Sequence, residues 1–367
     1  MKEKKYTCDI CHEEHDLSEL TYFDESYLCE DCLRRETFIC RDCGDRHWND
    51  DSADGDLCQT CYDEDYVRCE RCDAVIHYDD ACYHEDEEYH DHPYCRDCFD
   101  MDEIIHDYYY KPEPIFYGDG PRYLGVELEL DDGGENEFCA SKLLDIANAQ
   151  KEHMYIKHDG SLDDGFECVT HPMTLDYHIN QMPWRAILNK AVAKGYLSHQ
   201  AGTCGLHVHI SRNALGANYE EQEATIAKIL YFYEKFWNEI LTFSRRTESQ
   251  AEHWARRYGG GIINPKETLK HAKNSHMGRY AAVNLENDAT IEMRIFRGTL
   301  KYNTFIATLQ MVDEICKVAI SLSDEFMQGL TWLDFVKGIA DGKQELINYL
   351  KEKRLYVNEP IRNEVEI

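Results

Sequence analysis

Three short stretches place ionisable side chains at alternate positions within aliphatic runs: "GVELEL" (125–130), "GLHVHIS" (205–211) and "TIEMRIF" (290–296). In a strand, residues i and i+2 share one face. Glu127 and Glu129 therefore lie opposite Val126, Leu128 and Leu130; His207 and His209 lie opposite Leu206, Val208 and Ile210; Glu292 and Arg294 lie opposite Ile291, Met293 and Ile295. A solvated sheet face also alternates, yet it would draw on Lys, Thr, Gln and Ser as readily as on Glu and His. If the three strands are neighbours, their common face is a patch of carboxylates and imidazoles with a guanidinium. That is a site for a hard divalent cation.

Mg2+ keeps several waters and bridges carboxylates to nucleotide phosphates. Arginines beside it would hold and neutralise phosphoryl oxygens. Arg279 in "GRYAAVNL" and Arg294 and Arg297 in "EMRIFRGTL" are the first candidates. Arg245 and Arg246 in "FSRRTES", and Arg256 and Arg257 in "WARRYGGG", are adjacent pairs that surface charge would also explain. The stretch "KHDGSLDDGFECVTHP" (157–172) adds Lys157, Asp159 and, at the start of another strand, Glu167; its Gly-Ser turn would serve a plain hairpin equally well.

Positioning these groups requires a sheet. Strands are expected at 122–130, 153–158, 166–171, 205–211, 280–285 and 289–297, and helices at 137–150, 175–195, 219–243, 302–322 and 343–353. The aromatic stripe of "EEQEATIAKILYFYEKFWNEILTF" recurs at helical spacing and reads as core. No Gly-rich phosphate loop opens a helix, which disfavours dinucleotide-binding and Walker-type folds. The pattern predicts an α+β domain with a largely antiparallel sheet at 122–325, preceded by a linker at 101–121 and followed by a helical extension at 326–367.

The first hundred residues differ in kind. Six CxxC pairs follow one another: Cys8/Cys11, Cys29/Cys32, Cys40/Cys43, Cys58/Cys61, Cys69/Cys72 and Cys95/Cys98. Taken two at a time, their internal gaps are 17, 14 and 22 residues, with 7 residues between successive units, so residues 1–100 read as three repeats. Two residues between thiols bring both sulfurs to one tetrahedral ion, and a second pair closes the site. Three structural Zn2+ ions follow, bound either by sequential tetrads or by a cross-brace joining alternate pairs. Closed four-cysteine sites leave no position for substrate, so this array reads as a binding or positioning module. Cys82, near His77 and His84, reads as an ordinary core thiol or as a substitute ligand in the third repeat; the scattered Cys139, Cys168, Cys204 and Cys316 read as core thiols.

Acidic residues outnumber basic ones 71 to 39, and residues 1–111 hold 34 Asp/Glu against 11 Lys/Arg. Such a segment argues against a nucleic-acid partner and favours a basic protein or peptide. No run is long and apolar enough to span a membrane, and the N-terminus carries no readable secretory signal, so a cytoplasmic location is expected.

In combination and order, "GVELEL", "KHDGSL…GFECVTHP", "CGLHVHIS", "FSRR", "RYAAVNL" and "ATIEMRIFRGTL" resemble the amidoligase family, over about residues 121–325. These are carboxylate–amine ligases with a glutamine synthetase-like fold, related to glutamate–cysteine ligases. The resemblance implies that a substrate carboxylate attacks the γ-phosphate of ATP and that an amine captures the acyl phosphate as an amide. It implies Glu127, Glu129, Glu167 and Glu292 as Mg2+ ligands, and His207 or His209 as ligand or nucleotide contact. Arg279, Arg294 and Arg297 would hold the γ-phosphate or the substrate carboxylate, while Lys157 and Asp159 would shape the nucleotide or substrate loop. Arg245 and Arg246 are expected at the nucleotide. The Gly-rich "YGGGIINP" (258–265) is a candidate flap for excluding water, or a plain loop. The reading is thus an ATP- and Mg2+-dependent amide or isopeptide ligase whose zinc array recruits a peptide or protein. A metal-dependent hydrolase and a non-catalytic zinc-finger adaptor are the alternatives.

Overall fold

The computed structural model describes residues 5–83, 92–99, 103–259 and 264–357. The chain divides into two compact units, Met1–Asp102 and Glu103–Ile367.

The first unit repeats a short hairpin, a second strand pair and a one- or two-turn helix. Leu20–Phe23 pairs with Ser26–Cys29 and leads into the helix Glu30–Glu36; Ser52–Asp54 pairs with Leu57–Cys58 and leads into Gln59–Asp65. In each repeat one CxxC lies in a hairpin turn and the other straddles a strand end and helix start. The apolar clusters beneath them are tiny, Cys8, Leu28, Cys29 and Cys32 in the first repeat and Cys40, Leu57, Cys58 and Cys61 in the second. Cores this small need a metal or a disulfide to hold them. Trp48 ties the first two repeats together, its indole N–H donating to Asp24 at 2.6 Å and its ring lying 5.2 Å from Phe23.

The second unit is built on a seven-stranded sheet: β1 (Ile105–His106), β2 (Leu124–Leu130), β3 (Met154–Lys157), β4 (Phe166–Thr170), β5 (Leu206–Ser211), β6 (Val283–Asn284) and β7 (Thr290–Met293). Their order is β1-β3-β4-β2-β5-β7-β6, and every pairing is antiparallel except β1 with β3. The mixed α/β character and the largely antiparallel sheet agree with the α+β expectation. The aliphatic sides of β2, β5 and β7 are fully buried under helices, the central one being Tyr302–Ser321, which packs on Tyr219–Lys235, Trp184–Ala193 and Gln344–Glu352. Burial on that side fixes the register, because a one-residue slip would turn every aliphatic side chain outward.

Three expectations need amendment. The helix foreseen at 175–195 is two, Leu175–Asn180 and Trp184–Ala193, divided at Pro183, which lacks the N–H a continuous helix requires. The helix foreseen at 219–243 breaks at Phe236 into Tyr219–Lys235 and Trp237–Ser244. Residues 103–121, expected as part of a linker, belong to the second unit: Ile105 and His106 pair with Ile156 and Lys157, and Tyr117 is buried in the core. Within the expected C-terminal extension, Trp332–Lys337 and Gln344–Glu352 are helices, with Leu346 and Leu350 buried. Within the candidate flap, residues 260–263 lie outside the described residues, as does His84.

Candidate active site

The order β4-β2-β5-β7 makes the three patterned strands direct neighbours. Across the ladders, Glu127 stands opposite His207, Glu129 opposite Glu167, Lys157 opposite Glu167, and His209 opposite Glu292. The polar sides of five strands therefore form one continuous surface. It floors a cavity of about 1130 Å3, whose lining includes Glu127, Glu129, Lys157, Asp159, Glu167, His207, His209, Arg246, Arg279, Glu292 and Arg294.

His207 is the hub. Its Nδ1 lies 3.4 Å from Glu127 and 3.6 Å from Glu292, and its Nε2 lies 3.6 Å from Glu129. Gly205 makes room for this ring, since a Cβ there would approach His207 Nε2 to 2.3 Å. The same glycine's amide donates to the Glu129 carboxylate. His209 Nε2 is 3.0 Å from Glu127, Lys157 Nζ is 3.1 Å from Glu167, and Arg294 Nη1 is 2.5 Å from Glu292. Asp159 accepts from the Ser161 amide and hydroxyl at 2.7 and 2.6 Å, which folds the loop after β3 over the floor.

These acids disagree electrostatically. Burial, and then the Glu127, Glu129 and Asp159 charges, hold the Glu167 carboxyl well above its usual range although Lys157 opposes them. Burial chiefly, with Asp159, raises Glu129 against the pull of His207 and Arg294. Burial would raise Glu127 too, but His209 and His207 bring it well below its usual range. Four carboxylates sharing a partly desolvated floor are the arrangement a divalent cation would relieve. One oxygen each of Glu127 and Glu292 and one nitrogen of His207 lie within 4.8 Å of one another, a donor set that fits a cation.

The arginines separate into two groups. Arg294 and Arg246 face the cavity; Arg246 is buried, anchored by its Nε to the Ile295 carbonyl at 3.1 Å, and burial lowers it to about 10. Arg279 stands at the rim, donating to the Tyr108 hydroxyl at 2.5 Å. Arg256 also lines the rim, while Arg257 is spent on Glu234 at 2.9 Å. Arg245 and Arg297, expected at the nucleotide and phosphate, do not line the cavity. Arg297 falls on the opposite parity from Arg294, three residues on, and Arg245 takes a left-handed backbone (φ 68°) that turns it away from Arg246.

Three contributors were not foreseen. Asn284 donates to Glu292 at 2.8 Å and holds it from the outer side. Asp131 accepts from Thr203 and from the amides of Asp163 and Asp164, pinning the loop after β3 to the end of β2. Tyr108, in the segment taken as linker, covers the site, its ring 5.4 Å from the Lys157 ammonium. The alternation rule reaches Asn284 through "AVNL"; nothing in the sequence marks Tyr108 beyond its place in a tyrosine run.

In the first unit the tetrads are Cys8/Cys11/Cys29/Cys32, Cys40/Cys43/Cys58/Cys61 and Cys69/Cys72/Cys95/Cys98, the sequential scheme and not the cross-brace. Cys11 and Cys29 sulfurs are 3.8 Å apart, as are those of Cys72 and Cys95. A tetrahedron with metal–sulfur arms of about 2.3 Å has edges of roughly 3.8 Å, so the donor sets fit Zn2+. Burial would raise the Cys8 thiol, but the amides of Cys11, Cys29 and Ile10 bring it down to about 6. Cys82 is outside the third tetrad, its sulfur accepting from Arg96.

Residues 143–316 match the family model described as "Putative amidoligase enzyme". This stretch of the second unit is similar to the amidoligase family. The family is one of ligases that form amide bonds, and its matched stretch spans every site strand except β2, which the sheet inserts between β4 and β5. No curated protein matches the chain. Among solved structures, a bifunctional glutathione synthetase from Pasteurella multocida aligns with a TM-score of 0.32 and 14% identity over 65% of this chain. The chain spans 45% of that protein's length. Among the described residues, no helix is long and apolar enough to cross a membrane.

Proposed function

We propose that the second unit is an ATP- and Mg2+-dependent carboxylate–amine ligase acting through an acyl phosphate, and that the three tetrads hold Zn2+ in a module that receives a peptide or protein. One observation carries the reading: the continuous floor of Glu127, Glu129, Glu167, Glu292, His207 and His209, edged by Arg294 and Arg246. Glu127, Glu292 and His207 would hold Mg2+, with Glu129 beside them; the ion would shield the phosphate charge of ATP. Arg294 and Arg246 bear on the transferred phosphoryl group. Lys157, fixed by Glu167, and Asp159, fixed by Ser161, shape the wall against which the substrate carboxylate is presented.

The substrate carboxylate displaces ADP at the γ-phosphorus. The amine nitrogen then attacks the acyl carbon, inorganic phosphate departs with the C–O bond, and the nitrogen gives up a proton. Tyr108 and the loop at Asp159 limit water at this stage, since hydrolysis would waste the acyl phosphate. The acidic first unit suits a basic partner. Screening amines and carboxylates for ADP release, with mass spectrometry of the product, tests the proposal. ADP and phosphate should appear only when a carboxylate and an amine are both present, with an amide of matching mass. Turnover without ATP would make the protein a hydrolase and overturn it.

A further inference from the structure

Arg245 and Arg297, excluded from the cavity, are themselves gathered into a second basic cluster. Arg245 donates to the Arg297 carbonyl and, at 3.4 Å, to the Tyr349 hydroxyl. Lys353 lies 5.2 Å from the same Tyr349 ring. Gly298 seats against Ser198, where a Cβ would approach the Ser198 hydroxyl to 2.1 Å, and this brings the neighbours Arg297 and His199 together. Arg245 Nε, Arg297 Nε and His199 Nδ1 are all buried without a hydrogen-bond partner.

In a chain of net charge −32, so many cationic groups would be expected to find carboxylates. Among the described residues only Lys353 does, with Glu352 at 3.6 Å, and Glu352 is shared with Lys301 at 3.3 Å. After burial, the nearby Arg297, Arg245 and Lys353 charges hold the His199 imidazole below its ordinary range. Bringing like charges together without a counter-ion is costly, and a bound anion removes that cost. Two guanidiniums, an ammonium, an imidazole and a phenol hydroxyl together suit a multiply charged tetrahedral oxyanion better than a single carboxylate.

We propose that His199, Arg245, Arg297 and Lys353 form a phosphate-binding site distinct from the catalytic cavity. Its position couples the two: Arg246 hooks the Ile295 carbonyl and Arg245 the Arg297 carbonyl, so an anion held here braces the strand end that carries Arg294.

Calorimetry on the full chain, without Mg2+ or nucleotide, tests the site with inorganic phosphate and with a nucleoside 5′-monophosphate as separate titrants. Wild type should bind at least one of the two, the preferred titrant distinguishing a free ion from a phosphate ester. Arg245→Gln with Arg297→Gln should weaken binding by at least about tenfold, whereas Lys270→Gln, on an exposed helix face away from both sites, should not. If the double variant fails to melt cooperatively, Arg297→Lys decides in its place, with an expected loss of about threefold or more, because an ammonium forfeits the fork geometry. Absence of binding to wild type, or undiminished binding by the variants, would overturn the proposal.

Discussion

Glu129 and Glu167 stand directly opposite each other across the β2–β4 ladder, and both side chains are buried. Like charges facing one another on a ladder are destabilising, and burial makes this worse. Only one of them has a cationic side chain within 3.1 Å, Lys157 on Glu167. The strand pair accepts this repulsion at the floor of a cavity, where a cation would convert it to attraction.

A first prediction concerns pH. Glu167 titrates well above its usual range in the folded protein. Between the ordinary carboxylate value of about 4.3 and that raised value, the unfolded chain has lost a proton that the folded one keeps, so this group's contribution to stability falls as pH rises. Glu167→Gln removes the fall. In Mg2+-free buffer, the melting temperature of the variant relative to wild type should climb from about pH 4.5 to neutrality. A flat or descending difference would contradict the charge arrangement.

A second concerns the tetrads. Because the pairing is sequential, Cys8→Ser with Cys29→Ser disrupts a single site, and metal analysis should find two Zn2+ per chain against an expected three for wild type. Cys8→Ser with Cys40→Ser should leave one. A cross-brace would reverse the two results.

Asn284 donates its side-chain amide to Glu292, while its oxygen accepts from the Glu286 backbone amide at 2.9 Å. Removing an outer partner of a metal-binding carboxylate typically weakens metal binding about 10–100-fold. Asn284→Ala should show such a loss in Mg2+-dependent nucleotide binding while its melting temperature without Mg2+ stays close to wild type. Unchanged nucleotide binding would show that Glu292 needs no such support.

Tyr108 joins Arg279 and Lys157 across the cavity mouth. Tyr108→Ala should raise KM more than it lowers kcat, and should increase ADP release uncoupled from amide formation. Coupled turnover identical to wild type would relegate the residue to packing.

Much of the site was legible because strand alternation is a strict geometric rule. Once "GVELEL", "LHVHI" and "IEMRI" are strands, the faces of Glu127, His207 and Glu292 follow, and aliphatic burial fixes their registers. The Cys spacing was equally direct, and only tertiary placement could choose between the two pairings. The same parity rule, applied beyond the strand, would have separated Arg297 from Arg294; grouping them by proximity in sequence concealed that. Arg245 was illegible for another reason, since its left-handed backbone is set by the turn after Trp237–Ser244 and not by a local Gly or Asn. Residues 103–121 lack any period because β1 is only two residues long and its partner lies some fifty residues away.

The proposed ligase activity requires the acidic strand face to be the Mg2+–ATP site. Calorimetric titration of ATP in the presence of Mg2+ into wild type and into Glu127→Gln with Glu129→Gln tests it most directly. Wild type should bind saturably and the double variant at least about 100-fold more weakly; equal affinity for both proteins would place Mg2+–ATP elsewhere.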